Sequence, residues 1–299
     1  MDETLEIDFE EFLIGEYESD EAESGITAIF PKTKNITGIS QRGGSPGTMS
    51  TESLHPLHRE NTSIDALVIT GRSIFGFSAA LGIIKSMYYD GKGLKIRHMN
   101  IPIVPVAVIF DFVKNNILPD ESWGINAYKS KSNKIRIGRH GAGKGATVGK
   151  VLGIDHSMPS GQGYDDYSEN GLKIASIIVV NAFGDVYSNK NEIIAGARIE
   201  GKFLNTMEYF QKSNIKDIEK YYSTTIGIII TNAKLDRENA CKISELVNLS
   251  IGNKIKPFNT QFDGDTIFTI STNEIREPFE KVAAIAQKIT LKAIDKIFI

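Results

Sequence analysis

The segments of this 299-residue chain with side chains spaced for chemistry are few. Gly138 to Gly145, GRHGAGKG, follows the strand-like KIRI and nearly spells the phosphate loop G-x-x-x-x-G-K-[ST]. Gly138, Gly143 and Lys144 are in place, but Gly145 stands where a magnesium-binding hydroxyl belongs, and Gly149 interrupts any helix that would cradle a phosphate. The competing reading is a glycine-lined turn that lets two backbones approach closely. His55 and His58 have a spacing that could seat a metal, yet Pro56 lies between them and no third ligand is tied to them, whereas catalytic zinc generally takes three. Gly71-Arg72-Ser73 lacks the second glycine of a nucleophile elbow, so Ser73 reads as the start of a helix. Ser223-Thr224-Thr225, Asn181-Ala182-Phe183-Gly184-Asp185 and Asp263-Gly264-Asp265 look bland in isolation, because threonines are ordinary strand residues and Asp-Gly pairs ordinary turns.

The elements that must position these residues alternate apolar strands with glycine-rich turns. Ala66 to Thr70, Ile174 to Val180, Ile226 to Thr231 and Thr266 to Thr272 read as buried strands. Ile101 to Phe112 is β-rich, but Pro102 and Pro105 cannot donate ladder hydrogen bonds, so only its second half is expected inside a sheet. Phe77 to Tyr88, Asp236 to Leu249 and Pro278 to Ile297 have helical spacing, with Pro278 suited to a first helical position. Short strands with late helices predict a layered α+β fold in one domain spanning residues 25–299.

Composition narrows the function. The chain is 41% hydrophobic and 24% charged with a net charge of −3, which places it among globular proteins. The single cysteine, Cys241, excludes an intrachain disulfide and a thiolate metal cluster. No apolar run is long enough for a membrane helix, and the N-terminus is acidic where a secretory signal would be basic, so the reading is cytoplasmic with no membrane partner. No basic run interleaved with aromatics marks a nucleic-acid partner. Eleven Asp and Glu fall in residues 1–23, a segment that reads as an acidic N-terminal arm (residues 1–24) outside a mildly basic body; Phe9, Phe12 and Leu13 could dock one face of a short helix there.

Taken in order, the landmarks resemble the L-aminopeptidase/D-esterase and β-peptidyl aminopeptidase family, which includes a nylon-oligomer hydrolase. They are Gly25-Ile26-Thr27, Gly43 to Thr48 (GGSPGT), LVITGRSIFG at 67–76, PIVPVAVIFD at 102–111, GAGKGATVGK at 141–150, VVNAFGDV at 179–186, TTIGIIITNA at 224–233 and FDGDTIF at 262–268. The resemblance implies a four-layer α/β/β/α sandwich, shared with the ornithine acetyltransferases, and a precursor that cuts itself between Ser223 and Thr224 into residues 1–223 and 224–299. It makes Thr224 the new N-terminal nucleophile, Asn181 an oxyanion donor, Asp263 and Asp265 the pair that orients nucleophile and amine, and Lys150 a neighbour of the nucleophile. Phe110 falls where relatives carry a tyrosine, Ser223 where they often carry asparagine, and Asn232 where aspartate is frequent.

What the resemblance implies for activity is an N-terminal-threonine hydrolase of the aminopeptidase or amidase kind. Its substrates would be small amine-bearing amides, peptides or esters; it would need no metal or organic cofactor and would form a homo-oligomer, a tetramer in relatives. A threonine hydroxyl needs a base, and the freed α-amine, with an ordinary pKa of ~7.7 to 8.0, suits that role. The alternatives are a nucleotide-binding protein using Gly138–Gly145, an acyltransferase of the ornithine acetyltransferase type, and a family member that never matures.

Overall fold

The computed structural model describes residues 3–58, 63–213 and 221–298. Two five-stranded sheets carry the fold. Sheet I has the order β1 (Phe12–Ser19), β2 (Ser24–Pro31), β5 (Leu67–Thr70), β6 (Val106–Val108), β4 (Thr48–Met49). Sheet II has the order β7 (Gln162–Glu169), β8 (Leu172–Asn181), β9 (Thr224–Ala233), β10 (Thr266–Ile275), β3 (Ile36–Gln41). Helices α1 (Phe77–Tyr89) and α2 (Glu121–Lys129) pack on sheet I, while α3 (Arg237–Ile251) and α4 (Phe279–Phe298) pack on sheet II.

The period of two along each strand builds these layers. On β8, Ala175, Ile177 and Val179 point into the core between the sheets, whereas Ile174, Ile178 and Val180 point to the helices. On β9, Ile226, Ile228 and Ile230 join the inter-sheet core and Ile229 the helix side. Ile14, Ile29, Leu67 and Ile69 close the inter-sheet core from sheet I, and Ile83, Met87 and Trp123 cover its outer face. The result is four layers, α/β/β/α, as expected. Asp236 caps α3 by accepting from the Asn239 N–H at 2.7 Å, and Asp120 caps α2 by accepting from Ser122 at 2.8 Å. Pro102 to Pro105 lie outside the ladder and Val106–Val108 enter it, as their missing donors require.

Two expectations are corrected. Residues 3–24 are not a solvated arm: Glu3–Glu6 pairs with Lys134–Ile137, and β1 pairs along its whole length with β2. No helix forms there, because the apolar positions follow period two: Phe12 and Ile14 enter the inter-sheet core and Leu13 packs on the opposite side. The acidic charge meets cations of the body. Glu16 and Glu18 each contact Arg136 at 3.0 Å, Asp20 reaches Lys144 at 2.8 Å, and Asp8 reaches Lys173 at 2.9 Å.

The second correction concerns Gly138–Gly145. No helix follows this loop. Gly138 bridges to Gln162, Gly141–Gly143 form one 3₁₀ turn, and Thr147–Val148 is extended and pairs with Met158–Pro159. Gly141 has φ +49, and a side chain at Gly143 would strike the Gln162 backbone, so these glycines serve close packing. Lys144 is held by Asp20, and the phosphate-loop reading is set aside.

Candidate active site

Strand register brings the bland segments of the sequence to one end of sheet II. Antiparallel pairing of β8 with β9 sets Asn181, the last residue of its strand, opposite Thr224, the first of its own. Parallel pairing of β9 with β10 aligns Ile226 with Thr266, so the turn before β10 lies beside the residues preceding β9. A bridge between Ser223 and Asp263 extends this pairing by a step. Asn181 and Thr224 share the parity of the inward residues 175, 177 and 179, and 226, 228 and 230, so both side chains stand on the inter-sheet face.

The carbonyl of Ser223 is the focus of the geometry. It accepts from the Gly264 N–H at 2.8 Å and from the Thr224 hydroxyl at 2.6 Å, and the Ser223 N–H donates to the Phe262 carbonyl at 2.9 Å. Gly264 is required by space: a Cβ there would lie 2.5 Å from the Ser45 carbonyl and 2.9 Å from Thr224 Oγ1. Ser45 is a site residue that sequence reasoning did not single out, and Gly264 was read there only as a turn residue between Asp263 and Asp265. The only available signal was their place inside the GGSPGT and FDGDTIF segments.

Lys150 reaches this centre from the loop after Val148. Its ammonium donates to Asn181 Oδ1 at 2.8 Å and to the Asn181 carbonyl at 2.9 Å, and it lies 3.3 Å from Ser223 Oγ. The Thr147 N–H donates to the same Asn181 Oδ1 at 3.0 Å. With its oxygen held by two donors, the Asn181 amide must turn its Nδ2 the other way, where it donates to the Phe110 carbonyl at 2.9 Å. An amide nitrogen carries two hydrogens, so one remains for another acceptor. Phe110 therefore contributes its backbone here, while its ring packs against Phe112, Tyr221 and Tyr222.

Asp265 accepts from the Thr225 N–H at 2.6 Å and from the Asn259 N–H at 3.1 Å. Asp263 accepts from the Thr260 hydroxyl at 2.6 Å, the Thr260 N–H at 3.0 Å and the Phe183 N–H at 3.3 Å. Thr260 is thus a further residue of the site that the sequence did not reveal. Lys150, Asn181, Asp263 and Asp265 are all buried, and Thr224 is 5% exposed. Burial pushes the Lys150 amine down to about 7, against the opposing pull of Asp263, Asp111 and Asp265. Burial raises Asp263, and burial together with the charge of Asp263 raises Asp265 well above the usual carboxylate range. Two carboxylates and one amine thus share a buried site in which burial disfavours the charge of each.

His55 and His58 lie on the surface segment after Leu54 and join no other predicted site residue. Asn232 lies at the far end of β9, where its amide bonds the Gly171 carbonyl and the Lys173 N–H. Among the described residues no three His, Cys, Asp or Glu side chains are grouped to hold a metal, and no helix is long and apolar enough to cross a membrane.

Several known proteins are similar to this chain over most of its length. An uncharacterized aminopeptidase of Mycobacterium tuberculosis is 28% identical over 267 residues, covering 86% of this chain and 75% of that protein. A 6-aminohexanoate-oligomer endohydrolase of Paenarthrobacter ureafaciens is 25% identical over 284 residues, covering 92% and 77%. The L-aminopeptidase D-Ala-esterase/amidase of Ochrobactrum anthropi, described as a variant of the Ntn hydrolase fold, superposes with a TM-score of 0.69 at 15% identity, covering 97% of this chain and 84% of that one. A Burkholderia sp. beta-aminopeptidase superposes with a TM-score of 0.70 at 11% identity, covering 96% and 83%. The model of Peptidase family S58 matches residues 7–298, so the chain belongs to that family and is a hydrolase of peptide or amide bonds.

Proposed function

We propose that the chain is a self-processing hydrolase whose nucleophile is Thr224, acting on small amine-bearing amides, peptides or esters. One observation carries the reading: the Thr224 hydroxyl and the Gly264 N–H converge on the carbonyl of Ser223, opposite Asn181. In the unbroken chain, Thr224 Oγ attacks the Ser223 carbonyl carbon. The Oγ–C bond forms, the C–N bond breaks, and the hydroxyl proton ends on the departing Thr224 amine. Gly264 stabilises the oxyanion, and Lys150, whose amine burial pushes down to about 7, relays the proton. Water then opens the ester to a Ser223 carboxylate and the Thr224 hydroxyl, on a residue whose amine was freed by the first step.

In the mature protein that amine replaces Lys150 as the base. Thr224 attacks the substrate carbonyl, the second N–H of Asn181 meets the oxyanion, the substrate C–N bond breaks as its amine leaves with the hydroxyl proton, and water then releases the acyl group as the acid. Asp263 and Asp265 balance the new ammonium, which restores charge to a site holding two carboxylates and one lysine. The names of the relatives, an aminopeptidase and a 6-aminohexanoate-oligomer endohydrolase, support amides with a free amine as the substrate class.

The test is a denaturing gel with intact mass. Wild type should give fragments 1–223 and 224–299, and Thr224→Ala should stay whole and inactive. A wild-type chain that remains intact yet hydrolyses amides would overturn the mechanism. Product analysis with and without an acceptor amine separates hydrolysis from acyl transfer.

A further inference from the structure

A cut before Thr224 creates a chain end at Ser223, and the contacts that hold this end do not depend on the bond that breaks. The Ser223 N–H donates to the Phe262 carbonyl at 2.9 Å, and the Ser223 carbonyl accepts from the Gly264 N–H at 2.8 Å. Two residues earlier, the Tyr221 hydroxyl donates to the Phe112 carbonyl at 3.0 Å. The Phe110 ring meets Tyr221 edge-on at 5.5 Å and Tyr222 at 6.3 Å between centroids. On the other side of the bond, Thr224 is fixed by its own strand, through pairing with Asn181 and through the Thr225 N–H on Asp265.

The same residues obstruct the nucleophile. Ser223 is 1% exposed and Thr224 5%, and the Ser223 carbonyl stands 2.6 Å from Thr224 Oγ, in space that a substrate carbonyl within attacking distance would need. Opening the ester replaces that carbonyl by a carboxylate. Its bond from the Gly264 N–H becomes charge-assisted, and such bonds are roughly twice as strong as neutral ones. It also gains two neighbouring amines, the new one on Thr224 and that of Lys150, which lies 3.3 Å from Ser223 Oγ. Asp263 and Asp265 oppose it, with oxygens already engaged by the Thr260 hydroxyl and by backbone N–H groups. The cut thus removes the tether of the end while adding to what holds it.

We infer that Tyr221-Tyr222-Ser223 stays in the site after the cut as an internal product inhibitor, and that hydrolysis of other substrates begins only when this tail withdraws. The inference rests on the Thr224 reading, because without the cut there is no chain end. Tyr221 and Tyr222 touch no reacting atom; they set how tightly the tail is held, through Phe110 and Phe112. Tyr222 is 53% exposed, so its ring can leave without opening the core. The same contacts define a class of external ligand, short peptides with a free terminal carboxylate preceded by two aromatic residues.

Two measurements on the full-length protein test it, both made once a denaturing gel shows cleavage to be complete. The first is the rate at which trinitrobenzenesulfonate labels the Thr224 α-amine, read by mass spectrometry on the N-terminal peptide of fragment 224–299. Tyr221→Ala/Tyr222→Ala should label about 10-fold faster than wild type, the size of two aromatic contacts and a hydrogen bond. Tyr221→Phe, which keeps the ring and loses the hydroxyl, should fall between them. The second adds the tripeptide Tyr-Tyr-Ser to the cleaved double variant at a few mM, on the order of the effective concentration of a tethered segment. It should restore protection of the amine, and its C-terminal amide should need about 10-fold more, the loss of one charge-assisted bond. Equal labelling of wild type and the double variant, or equal protection by the acid and the amide, overturns the internal inhibitor and leaves the Thr224 reading standing. A wild-type chain that stays whole overturns the Thr224 reading, and the inhibitor with it.

Discussion

Lys150 offers the sharpest test, because its burial links stability and processing to one titration. Its amine falls from 10.5 to about 7, a displacement worth on the order of 5 kcal/mol between its two protonation states. The direction determines the sign. Between about pH 7 and 10.5 the unfolded chain holds more protons than the folded one, so unfolding free energy rises with pH through this window. Below about pH 7 both states are protonated and the full penalty of the buried ammonium applies. The background for measurement is full-length Thr224→Ala, which avoids a change of covalent state during unfolding. From pH 7 to 9 its stability in urea should gain about 2 kcal/mol relative to the same chain carrying Lys150→Met, whose side chain does not titrate. In the wild-type sequence refolded from denaturant, the rate of self-cleavage should climb through about pH 7 and level above it. Lys150→Met should remain whole, and so should Lys150→Arg, whose charge cannot be removed. Equal pH slopes in the two stability curves, or normal cleavage of Lys150→Met, would refute the reasoning.

Other expectations follow from the same contacts. Gly264→Ala places a methyl against Ser45 and Thr224, and a displacement of the hydroxyl approaching 1 Å should slow self-cleavage ~10²-fold while the chain still melts cooperatively; an unchanged rate on a time-course gel would contradict this. Asn181→Ala removes an oxyanion donor and should lower kcat ~10²- to 10³-fold, with KM for the amine-bearing substrate changed far less. Phe12→Ala, at a residue 1% exposed in the inter-sheet core, should cost ~3 to 5 kcal/mol in chemical denaturation, where a solvated arm would give no loss.

The strands and helices were legible because their signals are local. Apolar runs at 174–180 and 226–231 and the spacing of Val282, Ile285 and Ile289 reflect burial face by face, and the structure extends these elements by only a few residues. Pro278 falls just before α4 and not at its first position, a shift of one residue that hydrogen-bond bookkeeping at helix ends readily produces. The acidic segment misled because its charge density suggested solvation. What binds it is pairing with β2 and cations at Arg136, Lys144 and Lys173, more than a hundred residues away in the chain.

The candidate site divides along the same line. Thr224, Asn181, Lys150, Asp263 and Asp265 could be named from ordered landmarks, yet none of their local contexts distinguishes them from ordinary strand and turn residues. Composition and periodicity by themselves determined the layered class and the residues available for chemistry. Which of those residues meet, that Gly264 points its N–H at Ser223, and that Lys150 sits dry enough to titrate near neutrality were decided by register between distant strands and by burial. Both are properties of the packed chain, because hydrogen-bond partners across a sheet and the removal of water depend on segments that only folding brings together.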